Sequence, residues 1–268
     1  MIKVARIFGT PVYFHWYSLL PFSLLVGIIS ILMINPGPMF YLLYVVGSFI
    51  VTFGVFGSIL LHEVAHSELA KYYGIRNDGI FWKAWGGQAK IHEEEIRTPN
   101  ELFWVVIVGP LTNIVLAGVC FGIFTLSGFT LDMPYFLILH PQLSTISDYL
   151  LLWGFIWWGL FIVNALIGVS NLVTILPLDG GHIIKSLFWK LLRDQKKATL
   201  TVATLGIIQG IILVSVSYYL GYWFLCLGAW FFLTLAIGYW VYIRYPAKRW
   251  RYPEKLNRVL NLRITRRY

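Results

Sequence analysis

The sequence predicts an all-α polytopic membrane protein with six transmembrane helices, a small cytoplasmic β-hairpin and an interfacial amphipathic helix. Three observations predict it. The 268 residues are 58% hydrophobic and 18% aromatic but only 12% charged, about half the charge of a typical soluble domain. Six apolar runs are each long enough to cross a hydrocarbon layer of ~30 Å. All 21 Lys and Arg fall in four segments that six spans would place on one side of the membrane.

Span 1 is expected from about Tyr13 to Met33. Lys3 and Arg6 precede it as they would a signal peptide, but the run is long and no small-residue cleavage site follows, so it reads as a retained span. His15, near its start, reads as an interface marker. Asn35-Pro36-Gly37-Pro38 is a tight turn, and span 2 follows from about Phe40 to Tyr72. The polar insert 73–100 holds two strand-like pieces, Ile80–Trp85 and Gln88–Ile96, around Gly86-Gly87, which reads as a hairpin turn. Glu93, Glu94 and Glu95 read as a solvated charged edge. Thr98-Pro99-Asn100-Glu101 has the residues of a capping box and opens the next helix.

Span 3, about Leu102 to Leu126, contains Gly109-Pro110-Leu111-Thr112-Asn113, where small residues and a proline allow close helix approach and Asn113 needs a buried partner. Span 4, about Tyr149 to Leu176, ends in Asn171-Leu172-Val173-Thr174-Ile175-Leu176-Pro177-Leu178-Asp179-Gly180-Gly181, where proline and paired glycines unwind the helix. Irregular backbone at membrane depth is tolerated only where it lines a cavity. Residues 183–192 place Ile183, Ile184, Leu187, Phe188, Leu191 and Leu192 on one face, with Lys185, Lys190 and Arg193 mostly on others, the pattern of an interfacial helix. Spans 5 and 6, about Leu200 to Leu220 and Tyr222 to Ile243, complete a domain over 1–243, and 244–268 form a basic cytoplasmic tail.

The basic residues number two in 1–12, five in 67–100, five in 182–199 and nine in the tail. The positive-inside rule makes that side cytoplasmic, with both termini on it, in a multi-pass protein of the cell membrane. The net charge of +9 is thereby explained by topology and by contact with the lipid bilayer, and no nucleic-acid partner is expected. Cys120 and Cys226 lie in apolar runs and behave as small hydrophobes.

The chemistry is concentrated in Gly57 to Ala70, which holds His62, Glu63 and His66 as H-E-x-x-H. On a helix, positions i and i+4 share a face, so both imidazoles reach one ion, and Glu63 lies beside the water that ion holds. A catalytic zinc takes three protein ligands and keeps one position open. Asp179 is the favoured third ligand because Pro177, Gly180 and Gly181 free the backbone around it. His182 is the competitor, read instead as facing the headgroups.

With those residues in hand, the sequence resembles the site-2 proteases, membrane-embedded zinc metalloproteases. The resemblance rests on His62-Glu63-x-x-His66, on Leu178-Asp179-Gly180 with Asn171 upstream, on Gly109-Pro110-x-x-Asn113 and on Gly86-Gly87, and covers roughly 10–195. It implies one zinc per chain on His62, His66 and Asp179, with Glu63 activating water. It also implies substrate contacts near Gly86, Gly87, Asn113 and Asn171, the double glycine holding an unwound membrane-protein segment by strand addition. Thr174 and Leu176 stand where the family commonly has prolines, so a milder helix break is expected. The chain looks like the short branch related to the sporulation-type proteases, without a PDZ-like or CBS-like module. The expected activity is an endopeptidase acting on a membrane-embedded or membrane-associated protein near the cytoplasmic face, that is, regulated intramembrane proteolysis. The alternatives are a metal or ion transporter, which the lack of a clear ionisable residue in mid-membrane in spans 1, 3, 5 and 6 disfavours, and an inactive client-binding relative, which the intact His62, Glu63, His66 and Asp179 set disfavours.

Overall fold

The computed structural model describes residues 2–15, 38–83, 86–130 and 148–245. In chain order these form β1 (Ile2–Ile7), β2 (Thr10–Phe14), α1 (Pro38–Tyr72), β3 (Asn77–Lys83) and β4 (Gly86–Ile91), then α2 (Pro99–Leu126), α3 (Asp148–Asn171), α4 (Asp179–Leu192), α5 (Gln195–Tyr219) and α6 (Trp223–Arg244). A single 3-10 turn, Glu93–Glu95, lies between β4 and α2. Five of the helices are long and apolar enough to cross a membrane: α1 from Val46 onward, α2, α3 from Trp153 onward, α5 and α6. This is a multi-pass membrane architecture. The sixth expected span falls on residues outside the described ones after His15, as does the basic tail after Tyr245.

The all-α expectation needs correction, because β1 to β4 make one four-stranded sheet in the order β1-β2-β3-β4. Tyr13 and Phe14, expected to begin span 1, are instead the end of β2, which pairs in parallel with β3 (Val12 with Ile80, Phe14 with Trp82). β1 and β2 form a hairpin in which Ile7 faces Thr10. Its two-residue loop has Phe8 at φ 45° and Gly9 at φ 84°, the positive pair that a tight hairpin matched to strand twist requires. Lys71 Nζ donates to the Phe8 carbonyl at 2.7 Å and to Glu68 Oε1 at 2.7 Å, so the end of α1 anchors this hairpin.

The second hairpin also departs from expectation. Gly86 and Gly87 are not its turn but the first residues of β4, paired with Lys83 and Trp82. Gly86 has φ 124°, and a Cβ on Gly87 would sit 3.2 Å from Glu63 Cγ and 3.3 Å from the Trp82 ring. Gly87 admits a close approach of β4 to α1, while Gly86 supplies the positive φ. Outside the sheet, His92 joins two carboxylates, Nε2 lying 3.1 Å from Asp78 Oδ2 and Nδ1 2.7 Å from Glu94 Oε1. Glu94 first and Asp78 second, as acceptors for the imidazolium, raise His92 above its ordinary pKa.

The helices pack as their sequences direct. Thr98 caps α2 by accepting from the Glu101 amide at 3.2 Å while Glu101 bonds back to the Thr98 amide, the expected capping box. Val51, Val55 and Ile156 form the α1–α3 core, with Ile59, Leu160 and Val163 around it. Ala70, Ile75, Ile96, Leu102 and Val105 form a second core between α1, the insert and α2. α3 ends at Asn171, earlier than the predicted Leu176, and α4 begins at Asp179 rather than at residue 183. The irregular link between them exposes Leu172 and Pro177 but buries Ile175 and Leu176, and Leu176 packs with Val202 and Ala203 of α5.

α4 exposes Leu187, Leu191 and Leu192. It buries Gly180, Gly181, His182, Lys185 and Ser186. Lys185, expected on the outer polar face, and His182, expected at the headgroups, therefore both point inward. The physical reason is a partner that helix periodicity cannot reveal: Glu93, expected to be solvated, reaches them from the insert.

Candidate metal centre

α1 carries His62 and His66 on one face, and both are buried, 4% and 6% exposed. Each ring is fixed from behind through Nδ1. His62 Nδ1 donates to Asn113 Oδ1 at 2.5 Å, and His66 Nδ1 donates to the Val105 carbonyl at 2.6 Å. This sets the tautomer, leaving each Nε2 with a lone pair aimed forward. The two Nε2 atoms lie 3.1 Å apart. Asp179 Oδ2 lies 3.1 Å from His62 Nε2 and 3.4 Å from His66 Nε2.

Three ligating atoms within 4.8 Å of one another suit a single divalent ion bound by two imidazoles and a carboxylate, with a position left open. Two nitrogen lone pairs and a carboxylate oxygen that face one another at these distances repel unless a cation lies between them. Asp179 is thus the anion such an ion needs. The inward-facing His182 is not in this group of three.

The local sequence explains how Asp179 arrives. Gly180 and Gly181 lie in the first turn of α4, pressed onto the link that precedes it. A Cβ on Gly180 would run into the Leu172 and Val173 carbonyls, and one on Gly181 would come 2.5 Å from the Leu176 nitrogen. Thr174 Oγ1 donates to Gln209 Oε1 of α5 at 2.8 Å. That bond and the burial of Leu176 anchor the link at the two positions where prolines were expected.

Glu63 points to the sheet. Its Oε2 accepts from the Ala89 N–H of β4 at 2.6 Å. A cavity of about 670 Å³ connects these groups, lined by His62, Glu63, His66 and Asp179 together with Gly86, Gly87 and Asn171. Asn113 is not in its lining. It lies behind His62, fully buried, and its Nδ2 donates to Asn164 Oδ1 at 3.0 Å, while Asn164 Nδ2 donates to the Leu160 carbonyl at 2.8 Å.

Asn164 and Gly109 are the residues the sequence reading missed in role. Asn164 carried a usable signal, an amide in the middle of an apolar run. Gly109 leaves room for the metal-facing atoms: a Cβ there would be 2.7 Å from His62 Nε2 and nearer still to the His66 ring. Replacing Asn113 with Ala is expected to weaken metal affinity by ~10–100-fold, the usual penalty for losing an orienting partner. Competition with a chelator measures it, and unchanged affinity would show that Asn113 does not orient His62.

The comparisons with known proteins agree with this geometry. The model for Peptidase family M50 matches residues 48–216, more than half of the chain. A putative zinc metalloprotease of Synechocystis is 31% identical over 152 residues, 57% of this chain and 35% of that protein. Stage IV sporulation protein FB of Bacillus subtilis is 28% identical over 146 residues, 54% of this chain and 43% of that one. The chain spans about half or less of the length of the curated relatives it matches, 35% to 51%. Among solved structures, the site-2 protease from Methanocaldococcus jannaschii shares the fold, with a TM-score of 0.53 at 22% identity over 89% of this chain and 94% of that one. On the match to its family model, with a two-histidine, one-aspartate centre at the end of an apolar helix, the chain belongs to Peptidase family M50, the site-2 protease family.

Proposed function

We propose that this chain is a zinc-dependent intramembrane endopeptidase that cuts a membrane-embedded or membrane-associated protein near the cytoplasmic face. The observation that carries this reading is the convergence of His62 Nε2, His66 Nε2 and Asp179 Oδ2 beside Glu63, in one cavity bordered by the edge strand β4. His62, His66 and Asp179 would hold the zinc, which when bound would supply an acidified water and a Lewis acid for the scissile carbonyl. Glu63 is placed to accept a proton from water and return it to the leaving nitrogen. Its bond to the Ala89 N–H engages Oε2 and aims the carboxylate.

Among the described residues, β4 pairs with β3 on one side only. A substrate segment that adds to its free edge presents an extended backbone, whose carbonyls are no longer engaged in helical hydrogen bonds. Gly86 and Gly87 allow that backbone close, and Asn171 faces the same cavity. Asn113 acts through His62. A substrate helix with residues that unwind easily lowers the cost of entry.

The test uses elemental analysis and proteolysis together. Purified wild-type protein is expected to hold one zinc per chain, and Asp179→Asn much less. Co-expression with single-span membrane proteins is expected to yield a client cut by wild type and left intact by Asp179→Asn. Full zinc and full activity in Asp179→Asn would overturn the ligand assignment. Zinc uptake into cells without any proteolysis would favour a transporter instead.

The same reading places both termini and the insert 73–100 on the cytoplasmic side, with six spans, α4 at the interface and the tail 244–268 against anionic lipid. Single cysteines at Asn77, Ser127 and Asn257 test it. Cytoplasmic labelling is expected at Asn77→Cys and Asn257→Cys, and external labelling at Ser127→Cys. Cytoplasmic labelling of Ser127→Cys contradicts the topology.

A further inference from the structure

The insert that carries β4 is tied to the helix that carries Asp179 through one carboxylate. Glu93 follows β4 by two residues and opens the 3-10 turn. Its Oε2 accepts from Lys185 Nζ at 3.1 Å and lies 3.6 Å from His182 Nδ1. Lys185 is 4% exposed and His182 7% exposed. An ammonium this buried persists only with a paired anion, and losing the partner leaves it stranded. Among the described residues, the ion pairs joining the insert to α4 both end on this one oxygen. Glu93 and His182 also line the cavity that holds the metal-facing atoms.

The position of this link gives it a consequence for the substrate. The Ala89 N–H points away from β3, toward Glu63, so alternate amides of β4, at Gly87 and Ile91, point to the same open side. A peptide pairing there can occupy registers that differ in steps of two residues, ~6.6 Å along the strand, because a one-residue slip would invert its side chains. Which peptide bond then stands at the metal depends on the offset between β4 and α4. Glu63 holds β4 to α1, and Glu93 holds its far end to α4, six residues beyond Asp179.

We propose that the Glu93–Lys185 ion pair, with His182 against the same oxygen, sets the cleavage register by holding β4 at one offset from the metal ligands. Glu93 and Lys185 are positioning residues that determine which bond is cut. The inference rests on the protease reading above.

The experiment uses the full chain, zinc-loaded and reconstituted in vesicles of phosphatidylglycerol and phosphatidylcholine. The variants are Glu93→Gln, Lys185→Gln and the double exchange Glu93→Lys/Lys185→Glu. Nitroxides at Gln88→Cys and Leu191→Cys, two exposed positions on β4 and α4, with Cys120 and Cys226 replaced by Ala, report the offset by pulsed electron resonance. The probes are synthetic single-span peptides of Leu and Ala interrupted by Asn-Gly at successive depths, and their product termini are read by intact mass.

A single narrow distance and one product mass per peptide are expected for wild type. Each single variant, with zinc content unchanged, is expected to give a broadened distance and additional products displaced by two residues. The double exchange is expected to recover the narrow distance and the single cut, and it also guards against a single variant that fails to fold. A merely structural defect lowers yield without moving the cut. Single variants that keep the wild-type terminus or the wild-type distance overturn the inference alone. Wild-type protein that cuts none of the peptides overturns the protease reading and the inference with it.

Discussion

Glu63→Gln is expected to retain one zinc per chain and to lose proteolysis by ~10³-fold, within the range a positioned general base contributes. The two properties separate because Glu63 is not among the three converging atoms. Those belong to His62, His66 and Asp179. The glutamine amide oxygen can still accept from the Ala89 N–H, now held at 2.6 Å by the carboxylate, so the position of β4 is preserved. What disappears is an oxygen basic enough to take a proton from water. Elemental analysis beside cleavage of a co-expressed client measures both. Activity within ~10-fold of wild type would remove Glu63 from the role of base, and loss of zinc would make it a structural element of the centre.

Gly109→Ala is expected to be nearly as severe, by the opposite route: metal is lost first and activity follows. The added methyl would lie 2.7 Å from His62 Nε2 and 2.5 Å from His66 Cε1, well inside van der Waals contact. Neither ring can move aside. Asn113 holds His62 and the Val105 carbonyl holds His66. Gly109 itself sits in the interior of α2, followed by Pro110, so the backbone has little room to yield. In a helix interior alanine is otherwise favoured over glycine by about 1 kcal/mol, so the expected direction runs against intrinsic propensity. A fall in zinc affinity of ~100-fold or more is expected from displacement of both ligands. Chelator competition reads it, and wild-type affinity in Gly109→Ala would show that α2 shifts to accommodate the methyl group.

The parts of this site legible in the sequence are those encoded by local spacing. His62 and His66 stand one helical turn apart, and Glu63 is adjacent. Asp179 stands out because proline and glycines interrupt an apolar stretch just where a carboxylate appears. The Thr98 cap and the long apolar helices are equally local, and the structure shows the cap as expected and five apolar helices close to the expected spans 2 to 6. The missing parts depend on partners far away in the chain. β2 pairs with β3 across more than sixty residues, a separation over which local spacing carries no signal, so Tyr13 and Phe14 read as the start of the apolar run that follows them. Lys185 and His182 read as outward-facing because helix periodicity places charge toward water, and the anion that reverses this lies 92 residues earlier. Gly109 was visible as a small residue, but its function is to leave space for two imidazoles of another helix. Empty space has no residue pattern of its own.

The long separation between His62 and Asp179, 117 residues, sets the timing of biosynthesis. At ~5–20 residues per second, the ribosome delivers the aspartate roughly 6–23 s after the histidines. During that interval α1 can enter the bilayer and the sheet can close as residues 77–91 emerge, which gives Glu63 its Ala89 partner. The third ligand is still being synthesised. On the proposed function, a nascent chain would carry Glu63, His62 and His66 beside other newly inserted proteins with the metal centre incomplete, and would become competent for hydrolysis only when α4 folds onto the cavity.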